Sequence, residues 1–140
     1  MNGKVSKSQG DDVTTLLIAD DDEDILELVH RGLSASGYEI LLARDGATAL
    51  ATARERKPAL VLLDVAMPTP DGYEVTSALK NDPATKDTIV ILFTARSEAS
   101  DVEKGYEAGA DDYIMKPFTL KTLQSRVLAA LEQAKGSTHR

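Results

Sequence analysis

Short, continuously apolar segments alternate along this chain with segments whose apolar residues recur at helical spacing. Each apolar segment has the length and composition of a strand that is buried on both faces of a sheet. The predicted strands are Thr15–Ala19, Tyr38–Ala43, Ala59–Leu63, Thr88–Thr94 and Tyr113–Met115. The segment that ends at Thr94 is the most apolar and the most β-branched, which predicts a central strand.

A helix is predicted after each strand, because apolar residues there recur every three or four positions. The residues predicted to face the core are Ile25, Leu28, Val29 and Leu33, then Ala47, Leu50 and Ala51, then Val75, Ala78 and Leu79, then Val102 and Tyr106, and finally Leu120, Leu123, Val127, Leu128 and Leu131. Gly37 and Gly109 follow the first and fourth helices as C-terminal signals. The last helix is predicted to end near Ala134.

The alternation of strands and helices predicts an α/β fold, a five-stranded parallel sheet with helices on both faces. The connections between its strands are expected to be right-handed. The domain is predicted over residues 14–135, with a flexible polar tail at 1–13 and a second tail at 136–140. In open sheets of this kind the functional site lies at the carboxyl ends of the strands.

Polar side chains stand at the carboxyl ends of four predicted strands. Asp20 and Asp21 follow the first strand, Asp64 ends the third, Thr94 ends the fourth, and Lys116 follows the fifth. Three carboxylates in one crevice cannot all stay ionised without a compensating charge. A divalent cation would complete the balance, and an all-oxygen ligand set favours magnesium, with manganese as the alternative, over zinc.

Asp64 is the candidate reactive group of this crevice. An acid is seldom placed at the end of a core strand for packing, because burying its charge is costly. Aspartate can act as a nucleophile that accepts a phosphoryl group. The cation, Thr94 and Lys116 would then form a clamp around the transferring oxygens. The neighbouring acids at 22–24 have a simpler explanation, the cap and first turn of a helix.

The composition limits the function classes. The 140 residues carry a formal net charge of −7 and no cysteine. The negative charge argues against direct contact of this domain with nucleic-acid phosphates. Without cysteine there are no disulfides or thiolate metal sites, and the two histidines, His30 and His139, are too scattered for a histidine cluster. Because there is neither a signal-peptide core nor a membrane-spanning run, a cytoplasmic location without membrane insertion is expected.

Several segments, taken together in this order, match one family. They are Leu16-Leu17-Ile18-Ala19-Asp20-Asp21-Asp22-Glu23, Leu62-Leu63-Asp64-Val65-Ala66-Met67-Pro68 with Asp71-Gly72, Phe93-Thr94-Ala95, and Gly109-Ala110-Asp111-Asp112-Tyr113 running into Lys116-Pro117-Phe118. From about Thr15 to Ala134 the chain resembles the response-regulator receiver domain of bacterial two-component systems. The resemblance implies a flavodoxin-like (βα)5 fold, doubly wound with the strand order 2-1-3-4-5.

The resemblance also implies roles for the residues of the crevice. Asp64 would be the phosphoacceptor, phosphorylated by a sensor histidine kinase or a histidine phosphotransfer protein. Asp21 would bind magnesium directly and Asp20 largely through water, and the backbone carbonyl of Ala66 would be a further ligand. The domain would accept and carry the phosphoryl group rather than act as an enzyme, with at most slow self-dephosphorylation.

The remaining implied roles concern the response to phosphorylation. Thr94 would hydrogen-bond one phosphoryl oxygen, Lys116 would pair with another, and the bond before Pro117 would be cis. Tyr113 would be an aromatic switch that turns inward with Thr94, although a packed strand tyrosine explains it about as well. The changed surface, made by the fourth helix, fifth strand and fifth helix, would bind a downstream protein target.

Three alternatives stand beside the phosphorylation switch. A magnesium-dependent phosphatase of the haloacid-dehalogenase type would carry a second aspartate at position 66, where this chain has Ala66. A nucleotide or flavin binder would carry a glycine-rich loop after the first strand, where this chain is acidic. A pseudo-receiver would act without phosphorylation.

No output domain is expected within the chain, so it is either a stand-alone receiver or part of a larger regulator or hybrid kinase, and dimerisation is left open.

Overall fold

The predicted parallel sheet is present in the computed structural model, which describes residues 13–138, with side chains described to residue 134. The strands are β1 (Thr15–Ala19), β2 (Glu39–Ala43), β3 (Leu60–Leu63), β4 (Ile89–Thr94) and β5 (Asp112–Met115). The helices are α1 (Glu23–Ser34), α2 (Gly46–Arg56), α3 (Gly72–Lys80), α4 (Ala99–Ala108) and α5 (Leu120–Thr138). The fold class predicted from the sequence is therefore confirmed.

The strand order is β2-β1-β3-β4-β5, and all neighbouring pairs are parallel. β1 lies at the point where the order reverses, because the chain first adds β2 on one side and then β3 on the other. In the register, Ala19 pairs with Ala43 and Leu63, and Thr94 pairs with Met115. This register aligns the carboxyl ends of the strands along one edge of the sheet, where a doubly wound fold holds its ligand site.

Successive strand residues face opposite sides of the sheet, so each strand contributes to two apolar layers. In β1, Leu17 and Ala19 pack in one layer while Leu16 and Ile18 pack in the other. The first layer is covered by α2, α3 and α4, and the second by α1 and α5. The central strands are buried on both faces, which explains their continuously apolar sequences.

Aspartates begin the first three helices. The side chains of Asp22, Asp45 and Asp71 accept hydrogen bonds from backbone N–H groups in the first turns of α1, α2 and α3. These bonds satisfy donors that a helix start otherwise leaves unpaired. Asp71 and Glu74 form a reciprocal capping box, in which each side chain accepts from the other residue's backbone N–H. The β3–α3 loop is thereby held firmly at its end.

Two predictions of inward-facing residues in α1 and α2 were wrong in part. Leu28 is 45% exposed, whereas Leu26, which had not been assigned to the core, is 1% exposed. In α2, the alanines at 47 and 51 are exposed, and the buried ones are Ala49 and Ala53. Both helices are amphipathic as predicted, but their rotation about the axis differs, because contact with the sheet selects the face.

The same type of correction applies to α4 and α5. Tyr106 is 47% exposed and Leu128 is 49% exposed, although both had been predicted to face the core. In α4 the buried residue is Gly105, on whose backbone the Tyr113 ring packs so closely that an added Cβ would lie 2.9 Å from it. In α5 the fully buried positions are Leu123 and Val127, and Leu128 points about 100° away from Val127 around the helix.

The last helix is longer than predicted. It extends to Thr138, so residues 136–138 are helical where a tail had been expected.

Gly109 adopts a φ of 111° at the end of α4, and Gly37 a φ of 94° just after α1, which agrees with their prediction as helix-ending glycines. The predicted N-terminal tail lies, except for residue 13, outside the described residues.

Candidate functional site

The sheet itself positions the polar residues at its carboxyl edge. The backbone N–H of Asp20 donates to the Ala43 carbonyl at 3.1 Å, and that of Asp64 donates to the Ala19 carbonyl at 2.9 Å. Both bonds continue the strand pairing one residue past the strand. The two carboxylates are therefore carried by rigid backbone rather than by a mobile loop. Both residues are buried, at 1% and 5% exposed.

Lys116 bridges the two buried carboxylates. Its Nζ lies 2.7 Å from an Asp20 oxygen and 3.7 Å from an Asp64 oxygen. The backbone N–H of Lys116 donates to the Thr94 carbonyl at 2.8 Å, which fixes the start of the β5–α5 loop. The ammonium also lies 5.0 Å from the centre of the Phe93 ring, a favourable position for a cation. The lysine is thus held in place before any ligand arrives.

The surroundings of Asp20 destabilise the charged form of its carboxyl group. Burial raises the pKa of Asp20 above its ordinary value, and the neighbouring Asp64 charge raises it further. Hydrogen bonds from Lys116 and from the Asp22 backbone N–H oppose this rise in pKa. The balance remains unfavourable to the charged form, chiefly because burial removes the carboxylate from water, with repulsion by the Asp64 charge as a smaller cause. A further cation would relieve this repulsion.

The acidic side chains can hold such a cation. One carboxylate oxygen each from Asp20, Asp21 and Asp64 lies within 4.8 Å of the others. Asp21 is exposed, so the cluster opens to solvent on that side. Carboxylate oxygens suit a hard divalent cation such as Mg²⁺, which keeps several of its waters. The residues present therefore fit the metal that the sequence predicted, as a half-open, oxygen-only site.

Thr94 and Tyr113 are linked through the loop that follows β4. Thr94 is 1% exposed, and its hydroxyl oxygen accepts a hydrogen bond from the Arg96 backbone N–H at 3.3 Å. Tyr113 points inward, is 5% exposed, and donates from its hydroxyl to the Arg96 carbonyl at 2.8 Å. The turn inward that the resemblance implies therefore has no outward position in this structure to start from. The peptide groups of one loop residue therefore connect the two side chains predicted as the switch pair.

The remaining predicted site residues lie in the loops around the crevice. Ala66 is exposed on the β3–α3 loop, two residues after Asp64. The Lys116–Pro117 peptide bond is cis, as the resemblance implies, and a second cis bond, Thr69–Pro70, had not been predicted. The backbone of Gly72 packs against that of Asp64, since an added Cβ would lie 2.6 Å from the Asp64 carbonyl oxygen. This contact ties the start of α3 to the candidate phosphoacceptor.

Some charged residues near the crevice have structural explanations. Asp22 caps α1 by accepting from the Asp24 and Ile25 backbone N–H groups, as predicted. Glu23 pairs with Arg44 on the surface. His30 lies exposed on α1. None of the helices within residues 13–138 has the length and apolar character needed to cross a membrane.

One residue close to the site was missed by sequence reasoning. Tyr73, the second residue of α3, is 4% exposed and donates from its hydroxyl to the Asp101 carbonyl of α4 at 3.0 Å. A tyrosine on a buried helical face was the available signal, because a buried tyrosine hydroxyl needs a partner. The partner itself lies 28 residues away, where sequence spacing gives no indication.

Comparison with known proteins agrees with this geometry. The family model described as "Response regulator receiver domain" matches residues 16–128. The transcriptional regulatory protein PrrA of Mycobacterium tuberculosis is 46% identical over 123 residues, which cover 88% of this chain and 52% of PrrA. The chain thus spans about half the length of the curated relatives it matches.

Two solved structures have the same fold. A CheY-like receiver domain protein from Methanospirillum hungatei is 26% identical with a TM-score of 0.84, over 89% of this chain and 98% of that one. The receiver domain of a signal transduction histidine kinase from Syntrophus aciditrophicus is 34% identical with a TM-score of 0.81, over 86% and 92%. Together with the carboxylate cluster and its lysine, these matches show that the chain belongs to the response regulator receiver domain family of two-component systems.

Proposed function

We propose that Asp64 accepts a phosphoryl group from a phosphohistidine of a sensor histidine kinase or a histidine phosphotransfer protein. Family membership implies switching by phosphorylation, and the site supports the assignment to this residue. Asp64 supports this role because its carboxylate lies both within 4.8 Å of oxygens of Asp20 and Asp21 and 3.7 Å from the Lys116 ammonium. The observation that carries the proposal is this convergence of acids and lysine at the carboxyl edge of the sheet.

The proposed transfer needs little from the protein beyond position and charge. A carboxylate oxygen of Asp64 attacks the phosphorus, the bond from phosphorus to the histidine nitrogen breaks, and an acyl phosphate forms. Mg²⁺, held by Asp20, Asp21, Asp64 and the Ala66 carbonyl, would supply charge neutralisation on the transferring oxygens. Lys116 pairs with one phosphoryl oxygen and Thr94 donates its hydroxyl to another.

The proposed response follows from the added charge. Phosphorylation adds about −1.5 to −2 charges next to carboxylates that already repel one another. Thr94 moves toward the new oxygens and displaces Arg96, and Tyr113, which is already inward, shifts with the Arg96 carbonyl to which its hydroxyl donates. The surface formed by α4, β5 and α5 changes and binds a downstream protein target. The chain acts as a phosphoacceptor, and Ala66 offers no side chain to orient an attacking water.

Intact-mass measurement tests the phosphoacceptor. The protein is incubated with Mg²⁺ and a small phosphodonor such as acetyl phosphate, alongside Asp64→Asn and the control Asp24→Asn, which alters an exposed acid in the first turn of α1. We expect one phosphoryl group on the wild type and on the control, none on Asp64→Asn, and none in excess chelator. A wild type that gains no mass refutes the proposal, and equal gain by Asp64→Asn moves the acceptor elsewhere.

A further inference from the structure

Tyr73 joins the phosphoacceptor loop to α4. Its backbone follows Gly72, whose N–H donates to the Val65 carbonyl at 3.1 Å and whose Cα leaves no room for a side chain beside the Asp64 carbonyl. Its hydroxyl reaches across to the Asp101 carbonyl in the first turn of α4. Tyr73 therefore connects the loop that follows Asp64 with α4, a helix of the proposed output surface.

α4 has few other anchors. Gly105 is its one buried residue, and Val102 and Ala108 are partly buried against the core. The helix rests on the Tyr113 ring at Gly105, and the Lys104 ammonium lies 4.7 Å from the centre of the Tyr73 ring. A helix with so little buried apolar surface is held largely by specific contacts. The hydrogen bond from Tyr73 is therefore a substantial part of what sets its position.

The two tyrosine hydroxyls form one polar group inside an apolar layer. Tyr73 and Tyr113 belong to the same core layer, and each donates to a carbonyl, Asp101 for the first and Arg96 for the second. Burial raises the pKa of Tyr113, and the adjacent Tyr73 hydroxyl raises that pKa further, so the Tyr113 hydroxyl remains a neutral donor. The β4–α4 loop and the first turn of α4 are thus each fixed by one tyrosine.

We infer that Tyr73 is a positioning residue that couples the phosphorylation of Asp64 to α4, in addition to the Thr94–Tyr113 pair. This inference rests on the proposed function. Tyr73 follows Gly72, whose backbone packs against that of Asp64, while Arg96, in the loop that leads into α4, is hydrogen-bonded to Thr94. Displacement of the helix therefore stretches or releases the bond to the Asp101 carbonyl. A contact whose free energy differs between two states shifts the population between them.

Hydrogen exchange of the Tyr73→Phe variant tests the coupling. The substitution removes the hydroxyl and leaves the buried ring, and Tyr38→Phe is the matched control, because Tyr38 is a partly buried tyrosine in the opposite core layer. Phosphoryl uptake is measured first by intact mass. Amide exchange over residues 99–108 is then compared without and with Mg²⁺ and beryllium trifluoride, a stable phosphoryl mimic.

We expect normal phosphoryl uptake by both variants. In Tyr73→Phe the ratio of α4 exchange rates between the two states should fall roughly threefold or more, as expected for one buried hydrogen bond. Exchange in β5 should still respond, and Tyr38→Phe should behave as the wild type. Equal loss of α4 protection in both states, with the ratio unchanged, makes Tyr73 a packing residue and overturns the inference alone. A wild type that takes up no phosphoryl group overturns the proposed function and the inference with it.

Discussion

The Lys116 ammonium lies 2.7 Å from a carboxylate oxygen of Asp20, although the two residues are 96 positions apart. Their strands are separated by β3 and β4 in the sheet, so the lysine side chain reaches over both of them. Asp20 is only 1% exposed, whereas the Lys116 side chain is partly buried, so the pair lies at the floor of the crevice with its lysine side in contact with solvent. The pair joins the two ends of the crevice, and the same ammonium lies 3.7 Å from a carboxylate oxygen of Asp64.

Removal of a carboxylate from the cluster should weaken metal binding. We expect Asp20→Asn and Asp21→Asn to raise the Kd for Mg²⁺ about tenfold or more, since even outer-shell changes cost about 10–100-fold at metal sites. Isothermal titration calorimetry with Mg²⁺ and with Mn²⁺ measures the change. Asp22→Asn is the control, because Asp22 caps α1 and asparagine caps a helix equally well. Equal weakening in the control would show a general charge effect instead of ligation.

Replacement of Lys116 should separate phosphorylation from the conformational response. In Lys116→Gln the fold should persist with a loss of about 2 kcal/mol in the free energy of unfolding, because two buried carboxylates lose their cation. Phosphoryl uptake should continue at a lower rate, because Lys116 also pairs with a transferring oxygen, while exchange in β5 and α5 no longer responds. Lys80→Gln is the matched control: Lys80 pairs with Asp111 at 2.9 Å, away from the crevice. A Lys116→Gln protein that responds as the wild type contradicts the role assigned to the lysine.

Gly72 should tolerate no side chain. An added Cβ would lie 2.6 Å from the Asp64 carbonyl oxygen and 2.7 Å from the Val65 Cα, and backbone atoms cannot move aside cheaply. We expect Gly72→Ala to lower the free energy of unfolding by about 2 kcal/mol and to slow phosphoryl uptake. Gly37→Ala is the comparison, because its φ of 94° makes alanine strained at a position with open space around it. That variant should lose stability but keep the wild-type uptake rate, and slowed uptake in both would argue against a local effect.

The cap of α2 should contribute a pH-dependent part of the stability. The backbone N–H of Thr48 donates to the Asp45 carboxylate, and this bond holds the pKa of Asp45 below its ordinary value of 3.8. At a pH between the two pKa values of Asp45, the carboxyl is protonated in the unfolded chain and ionised in the folded one. The stabilisation by this hydrogen bond is therefore fully present above the pKa of the unfolded chain, and it is lost as the pH falls through the lower pKa of the folded protein. The Tm of Asp45→Asn, measured from pH 6 to pH 3, should fall less steeply than that of the wild type. Parallel curves would contradict this assignment.

Some of the fold could be read from local patterns and some could not. The strands were predicted nearly to the residue, because a continuously apolar run buried on both faces admits few alternatives. The helix faces were less certain, as Leu26 and Leu28 illustrate. Both lie on an apolar-rich part of the same amphipathic helix, and the choice between them depends on how α1 rotates against the sheet, which no local pattern specifies.

By itself, the sequence determined the alternation of strands and helices, and it determined that Asp20, Asp21, Asp64, Thr94 and Lys116 stand at strand ends. Parallel strands must place those ends along one edge, so the composition of the crevice followed. Only the tertiary structure decided the distances within it, including the contact of Lys116 with Asp20, and the hydrogen bond from Tyr73 to Asp101. Contacts of that kind join residues far apart in the chain, and their geometry depends on how whole elements pack.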